Sequence, residues 1–131
     1  MEKALGLIEA KGLTTAVACL DAATKAADVT LIGVERVIGG PNAMAVIIQI
    51  AGEVAAVRSA VDAGVEAGKK VGVIIASHVI PRPHEELDKL LNKFGQNLKT
   101  NSNNGSNNKK NKEKEDKNKD KSDEKKSDKE E

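Results

Sequence analysis

The residues of this chain that could do chemistry are few. His78 and His84 lie on either side of a proline-containing turn, with no recognisable arrangement of nucleophile, base and orienting group around them. Neither a G-x-S-x-G nor an H-E-x-x-H pattern occurs in the sequence. We therefore expect a hydrogen-bonded structural or surface role for both histidines, no catalytic residue and no enzyme activity.

The other chemical candidates are a glycine pair and a single cysteine. Gly39-Gly40 lacks the G-x-x-x-x-G-K-[ST] pattern of a phosphate-binding loop, and it joins two predicted strands rather than a strand to a helix. Cys19 stands between Ala18 and Leu20, which favours a buried thiol acting as a small apolar group. One cysteine makes neither an internal disulfide nor a Cys-rich cluster, so we expect no metal and no cofactor.

The composition excludes further classes of function. Twenty-one Lys and Arg residues balance 20 Asp and Glu residues, and only 1% of the chain is aromatic. Neither a basic nucleic-acid footprint nor a base-stacking surface is therefore expected. There is no secretory leader pattern and no apolar run near the roughly 18 residues of a membrane span, so no membrane partner is expected. With the single cysteine, these features indicate a cytoplasmic protein.

The C-terminal part of the chain differs from the rest. No Ala, Val, Ile, Leu, Met, Phe, Tyr or Trp follows Leu98, and Lys alternates there with Asp and Glu. Such a segment cannot bury enough apolar surface to offset the entropy of ordering it. We expect a folded domain at 1–94 and a disordered tail at 95–131, with a solvated spacer favoured over a specific binding arm.

Apolar periodicity predicts the order of the secondary-structure elements. The predicted elements are a strand at 4–9, an Ala-rich helix at 13–27, strands at 29–37 and 43–50, an Ala-rich helix at 53–69, a strand at 71–79 and a short helix at 84–91. Thr14 or Thr15 is expected to cap the first helix, and Gly68 with the Lys69-Lys70 pair to end the second.

This order is the β-α-β-β-α-β pattern of ferredoxin-like α+β domains. It predicts a four-stranded antiparallel sheet with two helices on one face, plus a short C-terminal helix. Large core side chains are few, and even a fully buried leucine contributes only about 1.5 to 3 kcal/mol. Association with further copies of the chain would therefore stabilise it.

Separated motifs give this sequence a family resemblance over residues 3–91. The chain closely resembles the single-domain hexameric shell proteins (BMC domains) of bacterial microcompartments, of the propanediol- and ethanolamine-utilisation type. The motifs that carry the resemblance are Ala4-Leu5-Gly6-Leu7-Ile8-Glu9-Ala10-Lys11-Gly12-Leu13-Thr14-Thr15-Ala16, Asp21-Ala22-Ala23-Thr24-Lys25-Ala26-Ala27-Asp28-Val29, Gly52-Glu53-Val54-Ala55-Ala56-Val57 with Asp62-Ala63-Gly64, and His78-Val79-Ile80-Pro81-Arg82-Pro83-His84.

The resemblance implies a flat homohexamer that tiles edge to edge into the shell of an organelle enclosing enzymes. Its partners would be copies of itself, other shell proteins and the enclosed enzymes, and catalysis would belong to those enzymes. The family lysine and arginine at the edge between hexamers correspond to Lys25 and Arg82. An apolar Lys stem can lie along a flat contact, and Arg offers a planar fork of donors.

The resemblance also implies that the loop between the second and third strands lines a sixfold pore. Typical members carry Lys-Ile-Gly-Ser-Gly there, whereas this chain has a longer, divergent loop that includes Gly39, Gly40, Pro41 and Asn42. Six copies of this segment would place backbone amides and Asn side chains in a constriction that passes small polar metabolites. The alternative is a longer hairpin turn that only closes the hole, because Gly, Pro and Asn are ordinary turn residues.

One other class of function remains open from the residues. Ferredoxin-like domains also form regulatory modules that bind small molecules, which is an analogy at the level of the fold only. Some divergent relatives hold an iron–sulfur cluster at the pore through cysteines, but the only cysteine here is Cys19 in the first helix. No cluster is therefore expected.

Overall fold

A computed structural model describes residues 3–38 and 44–96 of the 131-residue chain. Its elements follow the predicted order. They are β1 (Ala4–Lys11), α1 (Leu13–Ala26), β2 (Thr30–Ile38), β3 (Met44–Gly52), α2 (Val54–Val71), β4 (Ile74–Ile80) and a final helix, α3 (87–96). By its internal contacts the chain divides into two units, 1–98 and 99–131.

The four strands form one antiparallel sheet in the order β2-β3-β1-β4. This confirms the predicted ferredoxin-like α+β fold. Each edge strand pairs on one side only, so β2 and β4 border the sheet. A register shift between Glu9 and Ala10 marks a bulge where β1 pairs with β4.

The helices α1 and α2 cover one face of the sheet. Side chains alternate between the faces of a strand, so Gly6 and Ile8 of β1 share a face with Ile50 and Ile48 of β3. The core on this face is built of Ala, Val, Ile and the thiol of Cys19; its members are Ala4, Ile8, Ala10, Ala16, Cys19, Ala23, Val46, Ile48, Ile50, Val57, Ala60 and Val61. Mostly small side chains let both helices lie close to the sheet and to each other.

The helix α3 lies on the opposite face, here called the outer face and defined by Leu7, Gln49 and Gly33. A Cβ atom built on Gly33 would lie 3.2 Å from the Cβ of Phe94, and one built on Gly95 would lie 3.2 Å from the carbonyl oxygen of Ile32. These close approaches place the end of α3 over β2. The predicted C-terminal helix therefore exists, but it begins and ends later than the expected 84–91.

Two predictions at helix ends and one at the start of a strand were wrong. The residue before α1 is Gly12, with a positive φ of 84° and no side-chain cap, and Thr15 is instead buried beside Gly72. Gly68 does not end α2, which continues to Val71. As a result β4 begins at Ile74 rather than at 71. Lys69 and Lys70 do lie in the last turn of α2, as expected from the helix dipole.

Gly64 allows the close packing of α1 against α2. A Cβ atom on Gly64 would lie 2.9 Å from the carbonyl oxygen of Cys19 and 2.9 Å from Cδ1 of Ile8. The carbonyl belongs to the backbone of α1 and cannot turn aside as a side chain does. A larger residue at this position would therefore force the two helices apart.

Replacing Gly64 by alanine is expected to destabilise the domain. The gain in helix propensity is about 1 kcal/mol, whereas overpacking a core costs about 1 to 3 kcal/mol, and here the obstacle is backbone. We expect a melting temperature lower by roughly 5 °C or more in a calorimetric scan. Ser59→Ala, at an exposed position of the same helix, is the control and should leave it unchanged. An unchanged or higher value for Gly64→Ala would show that the helices separate at little cost.

Candidate assembly surfaces

The two ends of the sheet carry different groups of residues. At one end Ile38 of β2 pairs with Met44 of β3, and the backbone N–H of Gly12 donates to the carbonyl oxygen of Met44 at 2.8 Å. The N–H of Lys11 donates to the carbonyl oxygen of Val73 at 2.9 Å, which brings the start of β4 to the same place. We call this the apolar end.

Among residues 3–38 and 44–96, most of the large hydrophobic side chains that are exposed lie on, or next to, elements that start or finish at the apolar end. Ile38 is 84% exposed and Val17, one turn into α1, is 55% exposed. The members of this group are Leu13, Val17, Val37, Ile38, Met44, Val71, Val73 and Ile75. Exposed apolar side chains gathered in one region, rather than scattered singly, mark a surface that another protein covers.

The opposite end of the sheet carries the predicted edge residues. There Ala4 of β1 pairs with Gly52 and Leu5 pairs with Ile80, the last residue of β4. A Cβ atom on Gly52 would lie 3.0 Å from the carbonyl oxygen of Asp28, so the end of α1 is also there. We call this the Lys25 end. Because β1 has eight residues, about 25 Å separates the two ends.

Lys25 lies in the last turn of α1 and is 74% exposed. Its Nζ atom is 2.7 Å from Oδ2 of Asp21, one turn earlier on the same helix. Such an exposed pair contributes only about 0.3 to 0.5 kcal/mol to folding, so the lysine is not needed to hold the domain together. The ammonium group can exchange this partner for another at low cost.

Arg82 lies at the same end of the sheet as Lys25. It follows β4 by two residues and is exposed, whereas its neighbour Pro83 is buried. The buried proline anchors the segment that carries the guanidinium group. The structure thus places both predicted edge residues at the end opposite the apolar end.

Two further residues considered in the sequence analysis, His84 and Cys19, are held in place by the fold. His84 Nδ1 accepts a hydrogen bond from the backbone N–H of Glu86 at 3.2 Å, just before α3. Cys19 is buried, and burial raises the pKa of its thiol, which keeps the group protonated and unreactive at neutral pH. Gly39, Gly40, Pro41 and Asn42 lie outside the described residues, between the ends of β2 and β3.

Within 3–38 and 44–96, no three His, Cys, Asp or Glu side chains are grouped as metal ligands. None of the helices in these ranges has the length and apolar character needed to cross a membrane.

Comparison with known proteins identifies the family. The BMC domain model matches residues 4–83, which is more than half of the chain. The chain belongs to the BMC-domain family of bacterial microcompartment shell proteins. This confirms the resemblance found in the sequence.

Individual relatives of this BMC-domain protein agree with the assignment. It is 46% identical over 92 residues to the bacterial microcompartment shell protein PduA of Citrobacter freundii, covering 70% of this chain and 95% of the relative. It is 40% identical over 89 residues to the shell protein EutM of Escherichia coli K12, covering 67% of this chain and 87% of EutM. A crystal structure of a microcompartment protein from Desulfitobacterium hafniense superposes with a TM-score of 0.60 at 31% identity, over 68% of this chain and 48% of that one.

Sequence reasoning missed two features of this BMC-domain protein. The apolar end is assembled from segments far apart in the chain, so no sequence window reveals it. Gln49 is a buried polar residue on the outer face of β3. The sequence does indicate an unusual buried position here, because Gln49 is the one polar residue in the apolar run from Ala45 to Ala51.

Proposed function

We propose that this BMC-domain protein is a shell tile. Six copies form a flat ring in which the apolar ends meet around the axis and the Lys25 ends point outward. The observation that supports this most strongly is the placement of exposed apolar residues and candidate edge cations at opposite ends of one sheet, about 25 Å apart. A tile needs that separation, because one end must contact neighbouring subunits of the same ring while the other end contacts the adjacent ring.

The apolar end supports the ring itself. Its exposed Val, Ile, Leu and Met side chains border both edge strands and the start of α1. A neighbouring copy around a rotation axis would cover them with a different surface of the same chain. Each fully buried side chain of this kind contributes about 1.5 to 3 kcal/mol to association.

The segment from Gly39 to Asn42 is proposed to line the central pore. It connects β2 to β3, whose adjoining ends lie at the apolar end. In a sixfold ring this connection would be repeated around the axis, where backbone amides and Asn42 side chains solvate small polar metabolites. A turn that merely closes the hole is the other outcome.

Replacing Asn42 by leucine is expected to slow the passage of a polar metabolite through an assembled shell. The substitution removes the hydrogen-bonding groups of six amides from one constriction, and losing one hydrogen bond costs about 1 kcal/mol. We expect flux into enclosed enzymes to fall by about tenfold or more, with Asn92→Leu on α3 as the matched control. Unchanged flux in Asn42→Leu would remove Asn42 from the pore.

Lys25 and Arg82 are proposed to join one ring to the next. Both are exposed at the Lys25 end, and an exposed lysine paired with an exposed Asp21 on its own helix gives that pair up readily. Other shell proteins with compatible edges would be partners in the same facet. The enclosed enzymes would be further partners, and they, not the tile, would carry out the catalysis.

The protein is therefore proposed to reside in the shell of a cytoplasmic microcompartment. Within the predicted tail 95–131, the Lys-, Asp- and Glu-rich part that follows α3 is proposed to be solvated and to contribute nothing to the core of 1–94. It contains no large apolar residue after Leu98.

The experiment that tests the proposal is native mass spectrometry of the purified full chain, followed by negative-stain microscopy at falling salt. We expect hexamers that grow into flat hexagonal arrays. A dimer or trimer that never tiles would contradict the proposal and favour a ligand-binding regulatory module. Such a module would change its melting temperature when it meets its ligand.

A further inference from the structure

Gln49 is buried in a part of the structure where its side chain is poorly satisfied. It lies in the central strand β3 and is only 2% exposed. Its Oε1 atom has no hydrogen-bond partner among the residues that the structure describes. An amide oxygen removed from water without a new donor is a net cost to the state that buries it.

The end of α3 lies over this amide oxygen. A Cβ atom on Gly33 of β2 would lie 2.8 Å from Oε1 of Gln49 and 3.2 Å from the Cβ of Phe94. The space beside Gly33 on the outer face is therefore bordered by the side-chain amide of Gln49 on one side and by Phe94 of α3 on the other. Gly95 brings the backbone of α3 equally close to Ile32.

The apolar side chains of α3 are only partly buried. Leu87, Leu91 and Phe94 have intermediate exposure, and Leu90, one turn before Phe94, remains 47% exposed. The helix contributes no member to the core between the sheet and the other two helices. Partial burial of Leu87, Leu91 and Phe94 favours the seated helix, whereas exclusion of water from the unpaired amide oxygen of Gln49 opposes it.

We propose that α3 is a strap that lifts from the outer face and reseats, and that Gln49 sets the balance between the two states. In the closed state Phe94 covers the amide. In the open state water reaches Oε1, so the cost of burying it disappears, while the core on the other face stays intact. The inference concerns the subunit itself and does not depend on ring formation.

The test is amide hydrogen exchange, read by mass spectrometry, on the full chain in its native assembly. Gln49→Met keeps the length and flexibility of the side chain but removes the polar atoms. We expect exchange in 87–96 to slow by about tenfold, because the closed state no longer buries an unpaired amide. Exchange in α1 and α2 should be unchanged.

A second variant and a control make the outcome decisive. Phe94→Ala removes the cover, and exchange in 87–96 should then speed up by at least about tenfold while β1 and β3 stay protected. Ser59→Met, at an exposed site on α2, should change neither rate. The inference is overturned if Gln49→Met leaves exchange in 87–96 as fast as before, or slows the whole domain equally.

Discussion

Replacing Val17 by glutamate is expected to convert the proposed ring into monomers without unfolding the domain. Val17 is 55% exposed in the single subunit and lies on the first helix at the apolar end. Glutamate is a good helix former, so the fold tolerates it. In the ring each copy would bury an unpaired carboxylate, which costs about 3 to 5 kcal/mol and corresponds to a loss of affinity of at least about a hundredfold per contact.

The measurement is native mass spectrometry together with a thermal melt of the same samples. Ser59→Glu introduces the same charge at an exposed position of α2 outside the apolar end, and it should keep the oligomer of the wild type. If Val17→Glu remains hexameric, this part of the apolar end faces solvent and a different surface closes the ring.

Replacing Lys25 by alanine is expected to leave the proposed rings intact and to stop them from tiling. The Lys25 side chain is 74% exposed and its ion pair with Asp21 is of the weak surface type, so the fold loses little. At a flat contact the change removes an apolar stem and a set of donors from every edge. We expect sheets to appear only at a protein concentration raised by about tenfold or more, as seen by negative-stain microscopy.

A close control exists on the other helix. Lys70 is 74% exposed in the last turn of α2, and it pairs with Glu66 across one helical turn at 3.5 Å. Lys70→Ala therefore removes the same charge and the same kind of ion pair, away from the Lys25 end. Because Lys70 precedes Val71 of the apolar end, native mass spectrometry first establishes that this variant forms the same oligomer as the wild type. Sheets of Lys25→Ala that form as readily as those of Lys70→Ala would show that Lys25 is simply a solvated charge.

Local patterns in the sequence were sufficient to predict the order of the elements. Alternating apolar residues and Ala-rich helical spacing depend on short-range geometry, and these signals predicted four strands and two long helices in the correct order. Separated motifs then predicted the family, which comparison confirmed. The identities of Lys25 and Arg82 as edge candidates came from that resemblance, and they remain predictions.

The errors arose where a residue serves a distant partner rather than its own segment. Gly68 resembles a helix terminator, but in the fold it lies inside α2, where a Cβ atom would overlap Sγ of Cys19 and approach Ile74. Thr15 resembles a helix cap, yet it is buried beside Gly72. In both cases packing between elements outweighs the local preference of the residue.

The sequence by itself determined the elements, their order and the family, because these depend on neighbours along the chain. Only the tertiary structure decided which residues share a surface. Antiparallel pairing and the contacts beside it bring Ile38, Met44 and Val73 to one end of the sheet. The course of α1 along the sheet carries Lys25 to the other end. The tertiary structure also places the amide of Gln49 beneath α3. Strand register and helix seating bring together residues that are far apart in the chain, and no local pattern contains that information.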